Sequence, residues 1–341
     1  MLAKPSWKNP TIGQIAAEAK VSTATADRVL NGRPGVREAT RKKVEAALFR
    51  LGKPEAVGEL SPEKRRIAFI CEAGSGFLTL VEKEARALIA ARPDISFTLD
   101  SVPNVQVDAD RFSLTITRRA RECEAIILVS RDHLKVNRAV REAVDNGVHV
   151  ICLSTDLPNS RRSAYIGIDQ ISTGATAGWF MGRLLPQQSG NILLVYSSTY
   201  RTQEEREVGF RRVLREQFPW LNVVERVNIN DESDGAYQSV KKFLASNPPM
   251  VGIYNMAGGN RGVARALKEY QLQENVIFIG HELSEESRLL LESGEMDIVL
   301  GHDIRTEIQH CLELVNRMRR GEAVASVKTP LHVFNRYSYF P

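Results

Sequence analysis

The chain has few cysteines, no long apolar run, and none of the compact motifs by which catalytic sites are recognised. Its four cysteines, Cys71, Cys123, Cys152 and Cys311, are widely spaced with no C-x-x-C pair, and three lie in or beside apolar runs. Buried free thiols are therefore expected, rather than disulfides or a metal site. No stretch approaches the length needed to cross a bilayer, and the opening MLAKPSWKNP lacks the apolar core of an export signal, which points to the cytoplasm. A G-x-S-x-G elbow, a P-loop and an H-E-x-x-H pair are missing. The turn Gly74-Ser75-Gly76 lacks the third glycine of a dinucleotide fingerprint, since Thr79 stands there, and no acidic ribose partner is evident. No catalytic residue, cofactor or metal is expected on these grounds; a doubly wound enzyme using that turn for a cofactor is the rival reading.

What the chain does have is length, apolar content and an uneven charge. With 341 residues, 43% of them hydrophobic, it can build two or three folding units. The net charge of +5 is concentrated at one end: residues 1–66 hold 14 Lys and Arg against 7 Asp and Glu, leaving 32 against 34 for the remainder. A basic excess confined to one module suits phosphate neutralisation with counterion release.

That module has a recognisable periodicity. Thr11 can cap a helix whose apolar positions Ile12, Ile15, Ala16 and Ala19 share one face. The run Ala19-Lys20-Val21-Ser22 breaks the period, and Ser22 can cap a second helix carrying Ala26, Val29 and Leu30 inward. Two helices joined so tightly form a helix-turn-helix, which lays the start of its second helix across base edges in the major groove. A third helix is expected over 38–51.

At Thr11, Ile12, Ile15, Ala16, Ala19, Val21, Ser22, Thr25, Arg28, Val29, Leu30 and Asn31 the sequence resembles the DNA-binding headpiece of the LacI/GalR family of bacterial transcription regulators. The resemblance implies base-reading positions at Thr23, Ala24 and Arg28, with phosphate or register positions at Ser22, Thr25, Asn31, Arg37 and Thr40. The chemistry agrees, because an arginine can fork onto guanine O6 and N7, methyls can meet thymine methyls, and hydroxyls suit phosphate oxygens. Two departures from the family pattern stand out. Asp27 replaces a small hydroxyl residue and would repel phosphate unless paired with an arginine. Lys20 fills a turn position often held by glycine, at a strain if positive φ is needed.

Residues 52–66, GKPEAVGELSPEKRR, read as a linker rich in Pro, Gly and charge. In the family this region commonly forms a hinge helix that wedges a leucine into the minor groove. Here Glu55, Gly58 and Glu59 replace the expected residues and Pro62 follows Leu60 closely, so the wedge is disfavoured.

From residue 67 onward, apolar runs at 67–71, 95–102, 125–129, 148–153, 191–196, 221–227, 250–255, 276–280 and 296–300 alternate with helical patterns, the mark of an α/β fold with parallel sheets flanked by helices. Nine strands suggest two lobes, one over about 67–168 and 302–327, the other over about 169–301 and 328–341. The pattern resembles the periplasmic-binding-protein core of the same family, in its ribose-binding-like branch. A solute-binding protein of a transporter would share such a core without the headpiece.

In open α/β sheets ligands bind beyond the strand ends. Phe77 offers a flat face to a sugar ring there, or else packs a helix onto the sheet. The resemblance places ligand-reading groups at Asp132, Asn255, Glu282 and His302, and acceptors and amides converging on one cleft suit a sugar or polyol. Where the family often carries an arginine, this chain has Glu204, with Arg206 two residues on. That exchange favours a neutral or amino-bearing ligand, unless Arg201 or Arg206 supplies the missing cation. His281 and His302 are distant in sequence and lack helical metal-ligand spacing, so ligand or structural roles are preferred. The expected whole is a cytoplasmic, homodimeric regulator, a repressor in sense, that binds a pseudo-palindromic double-stranded operator and responds to a small sugar-like effector.

Overall fold

The computed structural model describes residues 11–31, 33–51, 64–197, 200–229, 231–246 and 250–338, and its contacts divide into two units, Met1–Glu63 and Lys64–Pro341. Residues 52–63, which carry the linker and its leucine, lie outside the described residues.

In the first unit, α1 (Ile12–Ala19), α2 (Thr23–Leu30) and α3 (Glu38–Leu51) follow one another closely. Thr11 caps α1 through a reciprocal box with Gln14. The helix ends at Lys20 in the left-handed region, φ 54°, the conformation a glycine would adopt without strain. Ser22 starts α2 by accepting from the Thr25 amide at 3.2 Å. Ile15, Ala16, Ala19, Ala26, Val29, Val44 and Ala47 form the core. Ile12 and Leu30, expected inside, are 41% and 36% exposed, because three short helices cannot enclose every apolar position.

The second unit begins with β1 (Arg65–Ala73), which starts inside the span read as linker. There follow α4 (Ser75–Ala90), β2 (Ile95–Pro103), α5 (Ala109–Glu122), β3 (Ala125–Val129), α6 (Leu134–Asp145), β4 (His149–Leu153) and β5 (Ala164–Gly167). The chain then crosses to a second lobe: α7 (Gln170–Leu184), β6 (Gly190–Tyr196), α8 (Arg201–Gln217), β7 (Leu221–Asn228), α9 (Ser233–Ser246), β8 (Gly252–Asn255), α10 (Asn260–Glu269), β9 (Ile277–His281), α11 (Glu285–Ser293) and β10 (Ile298–Gly301). It returns with α12 (Ile304–Arg319) and β11 (Val327–Lys328), then crosses a third time to β12 (His332–Phe334).

One sheet has the order β11-β5-β4-β3-β1-β2, and its pairs are all parallel. The other has the order β12-β10-β9-β8-β6-β7 and is parallel except for β12, which runs antiparallel to β10. Each sheet is covered on both faces, the first by α4 and α12 on one side and α5 and α6 on the other. The second lies between α9 to α11 and the pair α7 and α8. Burial on both faces explains why the inner strands read as continuous apolar runs. The expectation missed β5, β11 and β12, which are too short to show a period.

α7 and α8 pack at unusually close range. A Cβ on Gly174 would lie 1.8 Å from the Arg206 carbonyl oxygen, and one on Gly209 would lie 1.9 Å from that of Ile171. This approach brings the start of α7, at Gln170, against the second turn of α8, where Arg206 stands.

Candidate functional site

The carboxyl ends of both parallel sheets open on one cavity of about 380 Å³. The segment 73–80 after β1 forms the first-lobe wall together with Val129, Ser154 and Thr155, while the second lobe contributes residues at the starts of α8, α9 and α10 and the end of β9. Three polar contacts join the lobes there. Tyr200 donates to the Glu72 carbonyl at 3.2 Å, Asn104 donates to Asp231 at 2.8 Å, and Ser75 donates to Glu232 at 3.1 Å.

Arg206 is the buried cation of this cavity. Its Nε donates to Gln170 at 2.8 Å, Nη1 donates to the Met256 carbonyl at 3.0 Å, and Nη2 lies 4.0 Å from Glu282 Oε1. Periodicity along α8 accounts for its direction: Gln203, Arg206, Phe210 and Val213 are buried, three or four residues apart. Glu204 is out of phase with that face and exposed, which removes it from the cavity.

Glu282 lines the cavity from a backbone at φ 66°, and its Oε1 lies 3.5 Å from His302 Nε2. Burial opposes its ionisation, yet His302 and Arg206 hold the carboxyl below the usual glutamate range. His302 itself does not line the cavity. Its side chain is fully enclosed, with Nδ1 2.8 Å from Glu307 and the ring stacked on Phe77 at a centroid distance of 6.3 Å. Phe77 lines the cavity and also packs against the first-lobe core. Burial would depress the His302 imidazolium, but the carboxylates of Glu307 and Glu282 outweigh it and push its pKa up to about 10. Both carboxylate contacts lie off the ring N–H axes, so they act as ion pairs rather than aligned hydrogen bonds.

Two further expected positions are turned elsewhere. Asp132 is exposed and accepts from Asn137 at 2.6 Å, fixing the entry to α6 instead of facing the cavity. Asn255 is fully buried but donates to the Gly258 carbonyl and to Asn260, so it shapes the turn that carries the cavity wall.

Sequence reasoning passed over Asp231, which lines the cavity just beyond the edge strand β7. It accepts from the Gly258 amide at 2.7 Å as well as from Asn104, and burial pushes its carboxyl up. Ser154, Asp231 and Glu282 all hold positive φ and all line this cavity. Such conformations cost on the order of 1–3 kcal/mol each and concentrate at binding sites. The strand-end rule could have found Asp231, had the edge strand been weighed equally with the central ones.

On the headpiece, Ser22, Thr23, Ala24 and Arg28 lie exposed on or beside the start and outer side of α2, with Thr25 half-buried. The Ser22 and Thr25 hydroxyls are 2.8 Å apart. Asp27 is compensated: it accepts from Asn31 at 2.8 Å and pairs with Arg33 at 3.3 Å, which removes the expected repulsion of phosphate. Asn31 therefore closes α2 with its side chain, while Arg37, exposed, and Thr40, half-buried, flank the start of α3.

Residues 11–52 match the family described as bacterial regulatory proteins, lacI family, and residues 67–323 match the periplasmic binding protein domain. The chain belongs to the periplasmic-binding-protein domain family over its core and carries a lacI-family DNA-binding domain at its N-terminus. It is a DNA-binding transcriptional regulator. Catabolite control protein A of Priestia megaterium is 54% identical over 50 residues, which span 14% of this chain and 15% of that protein, so the likeness covers only a short stretch of each. The ABC transporter periplasmic-binding protein YphF of Escherichia coli K12 is 25% identical over 248 residues, covering 67% of the regulator and 74% of that protein. The core shares its fold with an ABC transporter solute-binding protein of Burkholderia graminis, determined in complex with D-arabinose. That match has a TM-score of 0.75 at 19% identity, over 82% of the regulator and 99% of the other chain.

Proposed function

We propose that this regulator is a repressor that acts in the cytoplasm as a homodimer and whose operator binding is set by a small sugar or polyol held in the cavity between the lobes. The observation that carries the reading is the cavity wall: a buried Arg206 and an ionised Glu282, 4.0 Å apart, amid hydroxyl and amide groups such as Ser154, Thr155, Gln203 and Asn260. Hydroxyl groups of a ligand can donate to Glu282 and accept from Arg206, leaving neither charge unpaired on closure. Asp231 and Glu232 on the same wall favour a neutral or amino-bearing ligand over an acidic one. The D-arabinose complex of the similarly folded solute-binding protein agrees with that class. Thr23, Ala24 and Arg28 would read bases, and Ser22, Thr25, Asn31, Arg37 and Thr40 would hold the backbone and register. A transporter's solute-binding protein accounts for the core but leaves residues 11–52 without a task.

A thermal-shift panel of aldoses, polyols and amino sugars tests the ligand class, since a compound that binds only the native form raises apparent stability. At least one member is expected to raise the melting temperature of the wild type and to lose that effect in Glu282→Gln. A panel without any shift, or an equal shift in the variant, contradicts the reading. Light scattering that showed only monomer would remove the dimer.

A further inference from the structure

The cavity charges do not end at the cavity. Arg206 faces Glu282 at 4.0 Å, Glu282 faces His302 at 3.5 Å, and His302 faces Glu307 at 2.8 Å. Thr329 donates to the same Glu307 oxygen at 2.5 Å, and at the other end Gln170 accepts from Arg206. The three places where the chain passes between the lobes are each represented. Gln170 opens α7 after the first crossing, His302 sits in the second, and Thr329 begins the third. Signs alternate along the row, so each charge is flanked by its opposite.

Glu307 belongs to the first lobe, in the opening turn of α12, where the helix dipole favours a carboxylate. It is completely buried, does not line the cavity, and has a second oxygen, Oε2, with no hydrogen-bond partner. A buried carboxylate so placed requires a cation beside it, and His302 is the group in contact. Resting on the reading of the cavity as the effector site, we propose that Glu307 is a positioning residue for that site: acting through His302, it fixes the charge and seat of Glu282 from the opposite lobe. A ligand group that hydrogen-bonds Glu282 then acts on a row of charges tied to all three crossings, which links cavity occupancy to the relative placement of the lobes.

The groups facing His302 are Glu282 at the end of β9, Glu307 on α12, and, more distantly, the neutral His281 on β9; Phe77 of α4 covers the ring. The test is a histidine-detected NMR titration of the full-length protein, with the His302 signal assigned by His302→Gln. The wild-type ring is expected to stay protonated past pH 9, given the value of about 10. Glu307→Gln is expected to lower its midpoint by ~1 unit or more, and Glu307→Asp to restore most of that. Glu282→Gln, altered at the cavity wall, is expected to fold and to lower the midpoint by less. A wild-type His302 titrating in the ordinary histidine range, or an unchanged midpoint in Glu307→Gln, overturns the proposal. If Glu307→Gln does not fold, the wild-type and Glu282→Gln titrations still decide it. No sugar enters this measurement, so a blank ligand panel and a failed titration are separate results.

Discussion

Arg28 stands exposed on α2 beside Thr23 and Ala24, with its neighbour Asp27 already neutralised by Arg33 and Asn31. A guanidinium in that setting is free to fork onto a guanine edge. Arg28→Ala is expected to weaken binding to the preferred site by ~1–3 kcal/mol and to relax sequence preference at one base pair, measured by anisotropy titration against a set of single-base variants. A uniform loss across all of them would make Arg28 a phosphate contact instead. His302 ties stability to pH. Its folded pKa of about 10 exceeds the ordinary 6.5, so the imidazolium contributes fully below about 6.5 and its contribution is lost as pH rises through about 10. Melting temperatures across that window should fall more steeply for the wild type than for His302→Gln, and parallel curves would contradict the buried ion pairs. Residue types at strand ends were legible in the sequence, but their directions were not. Asp132 accepts from the Asn137 amide and Asn255 donates to the Gly258 carbonyl, and neither pattern nor spacing records which hydrogen bond a side chain finally makes.

At the level of elements, the phase of α8 decides the cation. Glu204 attracted attention because it stands at a family position, yet the spacing of Gln203, Arg206, Phe210 and Val213 already put Arg206 on the inner face. Helical period was therefore a better guide there than positional correspondence. Inner strands such as 125–129 were legible because burial on both faces leaves nothing polar to interrupt them, whereas β11 and β12 gain their strand character from the neighbours they pair with. Close packing of α7 on α8 sets the distance between Gln170 and Arg206. Gly174→Ala would force a methyl against the Arg206 carbonyl, with an expected cost of about 1–3 kcal/mol in denaturant unfolding of the core. An unchanged midpoint would show that the helix pair is looser than its glycines imply.

Across the whole molecule, the sequence divides labour by charge: the basic excess belongs to the segment that carries the helix-turn-helix, and the acidic groups Asp231, Glu232 and Glu282 face the cavity. The headpiece was legible because a short, capped motif leaves a dense local signature, confirmed by the match over residues 11–52. The cavity was only partly so, since it is assembled from strand ends more than 200 residues apart in order, between Gly74 and Glu282. Under the proposed function, occupancy of the cavity changes how tightly the headpiece holds DNA. The most direct measurement is an anisotropy titration of a duplex selected from a random pool, with and without the compound giving the largest thermal shift, in the wild type and in Glu282→Gln. A change in Kd of at least ~5-fold is expected for the wild type, the lower end of ordinary coupling free energies, and none for the variant. Superimposable wild-type isotherms with the cavity saturated would contradict it.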